Sequence, residues 1–73
     1  MSPEKMVYMA NQIAGFFNTQ ADPDRAGKVA AHLSDFWEPR MLEKLYAYVD
    51  QGGSGLDPLV IDAAKRVRLA KAA

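Results

Sequence analysis

The segment His32-Leu33-Ser34-Asp35-Phe36-Trp37-Glu38-Pro39-Arg40-Met41 decides the fold. Proline has no amide hydrogen and disfavours helical geometry at the residue before it, so a helix that reaches Trp37 must end there. A new helix can begin almost at once, because proline suits the first helical position. The segment therefore predicts a sharp corner between two helices, with Phe36 and Trp37 at the bend.

The other prolines repeat this arrangement. The four pairs are Ser2-Pro3, Asp22-Pro23, Glu38-Pro39 and Asp57-Pro58. Serine and aspartate side chains accept the free amide hydrogens of a first helical turn, which makes Glu38 the poorest cap of the four. Each pair predicts a helix start, and the Glu38 start is the least well specified.

Apolar residues recur at helical spacing after each start, and no strand-like alternation is present. We expect helices over about Pro3–Asn18 and Pro39–Asp50, a second helix ending at Trp37, and a fourth after Asp57. Gly52-Gly53-Ser54-Gly55 ends the third helix, since glycine readily takes the left-handed conformation found there. The apolar stripes comprise Met6, Met9, Ala10, Ile13, Phe16 and Phe17; Ala26, Val29, Ala30, Leu33, Phe36 and Trp37; Leu42, Leu45, Tyr46 and Val49; and Val60, Ala63, Ala64 and Val67.

The predicted fold class is all-α, a small bundle of three to four short helices with tight proline-initiated connections. With 73 residues, 49% hydrophobic content, no net charge and no cysteine, it forms one domain, residues 1–73, held by apolar packing. The neutral charge provides no general attraction to nucleic acid or anionic membrane. No apolar run is long enough to span a bilayer, and no signal peptide is recognisable, so we expect a cytoplasmic protein.

The aromatic content exceeds what so small a core can hold. Seven aromatic residues accompany many alanines, and alanine lets helices approach closely. Exposed aromatic patches usually mark contact surfaces. The Phe36-Trp37 pair could fill the core or form a docking elbow with the residues that follow it. A mixed arrangement has Phe36 inward and Trp37 or Arg40 outward. The predicted protein-interface residues are Phe36, Trp37, Pro39, Arg40 and Met41, with Phe17 and Tyr48 as weaker additions.

No catalytic, metal or cofactor-binding residues are predicted. His32 and Asp35 could form an acid–base pair, but no cysteine or suitably placed serine is available for them to activate. A single histidine makes a poor transition-metal site. The glycine-rich segment after the third helix follows a helix rather than a strand and lacks the lysine of a phosphate-binding loop.

Two alternatives remain open at this point. The second and third helices could form a helix-turn-helix of a DNA-binding regulator, and the fourth helix carries the basic residues Lys65, Arg66, Arg68 and Lys71. The would-be recognition helix has a single arginine at its start and an acid, and its turn lacks glycine. The other alternative is a stand-alone homo-oligomer whose exposed aromatic residues meet each other.

Three blocks of the sequence carry a family resemblance. Met9-Ala10-Asn11-Gln12-Ile13-Ala14-Gly15-Phe16-Phe17, then His32 through Met41, then Gly52-Gly53 through Leu56-Asp57-Pro58-Leu59-Val60 resemble the delta subunit of NAD-dependent formate dehydrogenase. The resemblance implies a small accessory subunit of a cytoplasmic molybdenum- or tungsten-containing enzyme. In that family the other subunits hold bis-molybdopterin guanine dinucleotide, iron–sulfur clusters and FMN, and reduce NAD with electrons from formate.

A non-catalytic role agrees with the residues themselves, because the chain has no cysteine for clusters and no dinucleotide-binding fingerprint. The resemblance implies that the chain carries no cofactor of its own. It also implies binding to the catalytic and other subunits of formate dehydrogenase, in support of assembly, stability or maturation of the molybdenum cofactor. Residue-level roles do not follow from it.

Overall fold

Four α-helices account for most of residues 1–72, the part of the chain that the computed structural model describes. The helices are α1 (Pro3–Asn18), α2 (Arg25–Phe36), α3 (Pro39–Asp50) and α4 (Pro58–Ala72). Within these residues there is no strand. The predicted all-α class is therefore confirmed.

Three of the four helix starts lie where the polar–proline pairs predict them. The Ser2 hydroxyl accepts a hydrogen bond from the amide of Lys5 at 3.2 Å, and α1 begins at Pro3. The Asp57 carboxylate accepts from the amide of Leu59 at 2.9 Å at the start of α4. Glu38 makes no side-chain cap, as its residue type predicts, and α3 relies on proline alone to set its first turn.

The start of α2 differs from the prediction by two residues. Asp22 does not cap the helix; its carboxylate accepts from the amide of Asp24 at 2.8 Å and so shapes the preceding turn. Asp24 is the cap and accepts from the amide of Gly27 at 3.2 Å, so α2 begins at Arg25. The Asp24 carboxylate also pairs with Arg66 of α4 at 2.8 Å, and this pairing favours Asp24 over Asp22 as the cap.

Two of the three predicted helix ends, those of α2 and α3, have the expected backbone. Trp37 follows α2 in an extended conformation and donates its amide to the Leu33 carbonyl at 3.0 Å. After α3, the amide of Gly53 donates to the Tyr48 carbonyl at 2.9 Å, and that of Gly52 to the Val49 carbonyl at 3.0 Å. This pair of bonds, with φ +115° at Gly52, is a Schellman ending.

All four helices contribute to one core, and α2 packs most extensively against α4. The buried apolar residues are Met6, Ala10, Ala14, Ala26, Val29, Leu33, Trp37, Leu42, Leu45, Tyr46, Leu56, Val60, Ala63, Ala64 and Val67. The Cα radius of gyration is 11.2 Å, the value of about 11 Å expected for a compact chain of this length. No helix among the described residues has the length and apolar character needed to cross a bilayer.

The stripes predicted from periodicity are only partly buried. The α4 stripe is wholly inside, but Met9, Phe16 and Phe36 are exposed. On α1 the core is contacted through Met6, Ala10 and Ala14, and the two alanines are completely buried. Alanine allows the helices to approach closely, so the larger side chains beside it are left on the outer surface.

Candidate protein-docking surface

The seven predicted interface residues do not form one continuous surface. Trp37 belongs to the core, and Arg40 is exposed at the start of α3. The other five lie at three separate places. Phe17 and Phe36 are on the outside of α1 and α2, Met41 and Tyr48 line a groove where α3 meets α1, and Pro39 lines a depression beside α4.

Phe36 and Trp37 occupy the opposite sides from those expected. Trp37 is only 8% exposed, whereas Phe36 is 73% exposed. Leu33 and Trp37 are four residues apart and share the core-facing side of α2, while Phe36 is four residues from His32 and shares the adjacent side. The expectation that Phe36 lies inward is therefore wrong, and of the two residues expected outward, Trp37 is buried and Arg40 is exposed.

Four rings form a continuous row along the outside of α1 and α2, here named the aromatic face: Phe16, Phe17, His32 and Phe36. The centroids of Phe16 and Phe17 are 5.1 Å apart in an edge-to-face arrangement. Phe17 and His32 follow at 6.4 Å, and His32 and Phe36 at 4.7 Å. These spacings are those of favourable aromatic pairs, so the rings hold one another in place.

A shallow apolar groove of about 280 Å³ runs beside these rings. Its lining comprises Gln12, Ile13, Phe16, Phe17 and His32. Phe17 and His32 are half-buried and form its floor between the helices, while Phe16 is 61% exposed at its edge. The groove can accept an apolar side chain of a partner, with Gln12 and His32 as its polar groups.

Charge is missing from this part of the chain. The run from Met6 to Ala21 contains no Asp, Glu, Lys or Arg, although a quarter of all residues are charged. Depletion of charge combined with exposed aromatic rings is typical of the centre of a protein–protein interface. This run is visible in the sequence and includes Ile13 and Phe16, which the periodicity assigned to the core and which line the groove.

Met41 and Tyr48 line a second groove, where α3 meets the first turn of α1. It measures about 290 Å³ and also includes Met1, Pro3 and Met6. The Tyr48 hydroxyl donates to the Ser54 carbonyl at 2.6 Å, so this ring is fixed by the connection that follows α3. Pro39 lines a third depression, with Leu42, Glu43, Tyr46, Arg68, Lys71 and Ala72.

Two of the four basic residues of α4, Arg66 and Arg68, pair with carboxylates of the same chain. Arg66 pairs with Asp24 at 2.8 Å and with Asp62 at 3.2 Å. Its hydrogen bond holds the pKa of Asp24 below the usual value. Arg68 pairs with Asp50 at 2.8 Å. These carboxylates reduce the positive charge that α4 could present to nucleic acid.

The polar side chains of His32 and Tyr46 each pack against neighbouring side chains. His32 lies between the rings of Phe17 and Phe36. The Tyr46 hydroxyl is buried without a hydrogen-bond partner among residues 1–72, and Arg68 lies over its ring at 5.4 Å. Burial raises the pKa of Tyr46. No group of three or more metal-ligating side chains occurs in the described part of the chain.

A family model, NADH-dependent formate dehydrogenase delta subunit FdsD, matches residues 5–64. The chain belongs to this family. The FdsD match includes every residue of the aromatic face and ends before Lys65, so the basic end of α4 lies outside it. No curated protein and no solved structure matches the chain.

Proposed function

We propose that this FdsD-family chain is a non-catalytic accessory subunit of a cytoplasmic formate dehydrogenase. It binds the catalytic subunit and favours the assembled enzyme. The observation that carries the proposal is the aromatic face, a row of four exposed or half-buried rings, two of them in the charge-free run from Met6 to Ala21, in a member of a delta-subunit family. A subunit that binds only the assembled enzyme stabilises that state by mass action, so this role requires no catalytic group on the chain.

The exposed rings offer enough apolar area to drive docking. Phe16 and Phe36 are each about two-thirds exposed, which corresponds to roughly 250 Å² of side-chain surface. Covering it contributes up to about 6 kcal/mol at about 25 cal/mol per Å². Loss of rigid-body freedom offsets much of this gain, so neighbouring contacts must contribute as well.

The start of α3 supplies the additional contacts in this proposal. Pro39 and Arg40 are exposed and Met41 is half-buried, directly after the turn that carries Phe36. Arginine and methionine are enriched in interfaces because they combine long apolar stems with forked or adaptable contacts. Trp37 acts indirectly, since its ring fills the core beneath this turn.

The redox cofactors belong to the partner subunits in this proposal. Iron–sulfur clusters require cysteine ligands, and this chain has no cysteine. The bis-molybdopterin guanine dinucleotide and FMN are likewise assigned to the partners, with the accessory chain supporting assembly, stability or cofactor maturation.

Co-purification with an affinity-tagged catalytic subunit tests the proposal. The variant Phe16→Ser/Phe36→Ser removes both exposed rings, and Leu69→Ser is the matched control, because Leu69 is 74% exposed on α4 outside the aromatic face. We expect wild type and Leu69→Ser to co-purify and the double variant to be lost. Co-purification of the double variant at the wild-type level would rule out the aromatic face as the dock.

Arg40→Ala, measured in the same assay, tests the contacts at the start of α3 separately. A reduced yield supports them, and an unchanged yield restricts the dock to the aromatic face. Duplex DNA binding that weakens steeply with salt would instead support the regulator alternative.

A further inference from the structure

His32 is the sole histidine of the chain, and it lies within the aromatic face. The centroid of its ring is 6.4 Å from that of Phe17 and 4.7 Å from that of Phe36. Its side chain is half-buried and lines the shallow groove beside these rings. Histidine is the side chain whose charge ordinarily changes between about pH 5 and 8. The proposed dock therefore contains a group that responds to pH near neutrality.

The fold provides His32 with aromatic neighbours rather than with a polar partner. Within residues 1–72 its two closest ring contacts are phenyl groups. The Tyr46 hydroxyl is the one buried side-chain polar atom without a partner in this part of the chain, so the nitrogen atoms of His32 are open to water. A partner that covers the groove displaces this water and changes the surroundings of the imidazole directly.

The charged residues closest to His32 along the chain are of opposite sign. On α2, Lys28 lies one turn before it and Asp35 one turn after it, and both side chains are exposed. On the α1 side, the run from Met6 to Ala21 carries no charge. The free chain therefore places no single dominant charge beside the imidazole.

The charged residues of α4, the other helix that packs extensively against α2, are engaged elsewhere. Arg66 binds Asp62 and also Asp24, which precedes α2 and is eight residues before the imidazole. Beyond the end of α2, Glu38 and Arg40 are exposed at the corner with α3. The remaining α4 cations line depressions that α4 shares with α3: Lys65, Arg68 and Lys71.

We infer that the catalytic subunit docks onto the neutral form of His32, so that protonation of this side chain weakens the complex. This inference rests on the proposed docking function and specifies its regulation. Docking removes water from the imidazole. A neutral ring can replace that water with a single hydrogen bond to an uncharged partner group, whereas a protonated ring loses far more hydration.

The surrounding groups do not compensate a protonated His32 for this loss. Phenyl rings attract a cation weakly, but Phe17 and Phe36 flank the imidazole before docking as well, so this attraction is present in both states. A partner carboxylate would pair with the imidazolium only at low pH. At neutral pH it would be buried beside an uncharged stretch of α1 with no cation to compensate it.

Dissociation constants of the complex at about pH 7.5 and about pH 5.5 test the inference, with an affinity tag that contains no histidine. A group that must lose its proton before binding weakens the complex by up to about tenfold for each pH unit. We expect the ratio of the two constants to be about fivefold or more larger for wild type than for His32→Gln, whose side chain is polar but does not titrate. His32→Phe keeps a ring between Phe17 and Phe36 and should behave like His32→Gln.

The comparison between variants removes the contribution of other titrating groups, because those of the catalytic subunit affect every variant equally. The matched control is His32→Gln/Ala70→His, which places a histidine at an exposed position of α4 outside the aromatic face. This variant should not regain the pH dependence of wild type. The pKa of Asp24 lies below its usual value of 3.8, because Arg66 donates a hydrogen bond to it, so this pair is intact at both pH values. Circular dichroism at both pH values checks that the fold is unchanged.

The outcomes distinguish this inference from the proposed function. If wild type binds and its ratio equals that of both His32 variants, His32 does not control docking while the proposed function stands. A wild-type complex that becomes tighter at low pH relative to the variants would place a partner carboxylate over His32 and overturn the inference. Failure of wild type to bind at both pH values overturns the inference and the proposed function together.

Nuclear magnetic resonance gives a second readout that requires no variant. Labelling the imidazole carbon of this chain alone produces one signal, because the chain has one histidine. Its titration midpoint should move to lower pH when the unlabelled catalytic subunit is added. A midpoint that stays constant or moves to higher pH in the complex would contradict docking onto the neutral form.

Discussion

Phe36 and Trp37 are adjacent in the sequence but should respond in opposite ways to replacement by alanine. Trp37 is 8% exposed and packs in the core. Removing a buried aromatic side chain costs about 3–5 kcal/mol, whereas a domain of this length has a free energy of unfolding of about 4–11 kcal/mol. Trp37→Ala should therefore remove a large fraction of the free energy of unfolding of the isolated chain.

The corresponding cost for Phe36→Ala is much smaller. About a quarter of the Phe36 side chain is buried, which corresponds to roughly 40–70 Å² of a typical phenylalanine. At about 25 cal/mol per Å² its removal costs about 1–1.7 kcal/mol. The higher helix propensity of alanine offsets up to about 0.7 kcal/mol of this loss. Phe36→Ala should therefore fold almost like wild type but weaken binding to the catalytic subunit at least tenfold.

Urea unfolding followed by far-ultraviolet circular dichroism measures both variants. Dichroism is needed because Trp37 is the sole tryptophan, so fluorescence cannot follow its alanine variant. Equal losses of stability in the two variants would refute the opposite placement of the rings. Unchanged binding of Phe36→Ala would leave the placement intact but remove Phe36 from the dock.

Three further substitutions test features that position the helices. Gly52→Ala should lower the free energy of unfolding by about 1–2 kcal/mol in urea titrations, because an L-residue is strained in the left-handed helix end. Asn11→Ala should cost about 1–3 kcal/mol in the same assay, since the Asn11 side-chain oxygen accepts from the partly buried amide of Asp57 at 2.8 Å. For Asp24, hydrogen bonding to Arg66 lowers the carboxyl pKa, so its stabilisation is complete above the unfolded value of 3.8 and is lost as pH falls through the folded value. The urea midpoint of Asp24→Asn should therefore fall less steeply than that of wild type between about pH 5 and about pH 2.

Local chemistry made the helices predictable. The bounds of α1 and α3 follow from proline starts, a serine cap and a glycine ending, each of which acts within a few residues. The exception is the start of α2, where Asp22 and Asp24 compete. Pairing with Arg66 favours Asp24 as the cap. Arg66 lies 42 residues away from Asp24, so local sequence pattern could not predict this contact.

The orientation of the rings depends on contacts between helices, so periodicity could not determine it. A helical stripe that contains Met9, Ala10, Ile13 and Phe16 is wide, and only the packing partner decides which part of it is buried. The charge-free run around these residues was a more informative signal. It indicates that a partner could cover the outer side of α1 without burying a charge, whichever residues contact the core.

The small residues of the core account for both the compact fold and the exposed rings. Ala10 and Ala14 of α1 and Ala63 and Ala64 of α4 are buried, so these helices pack with little space between them. Two large rings, those of Trp37 and Tyr46, fit in this core, whereas those of Phe16 and Phe36 remain outside it. Because folding does not depend on these rings, substitutions in the aromatic face can alter binding with little loss of stability. The alanine variants of Phe36 and Trp37 test this separation directly.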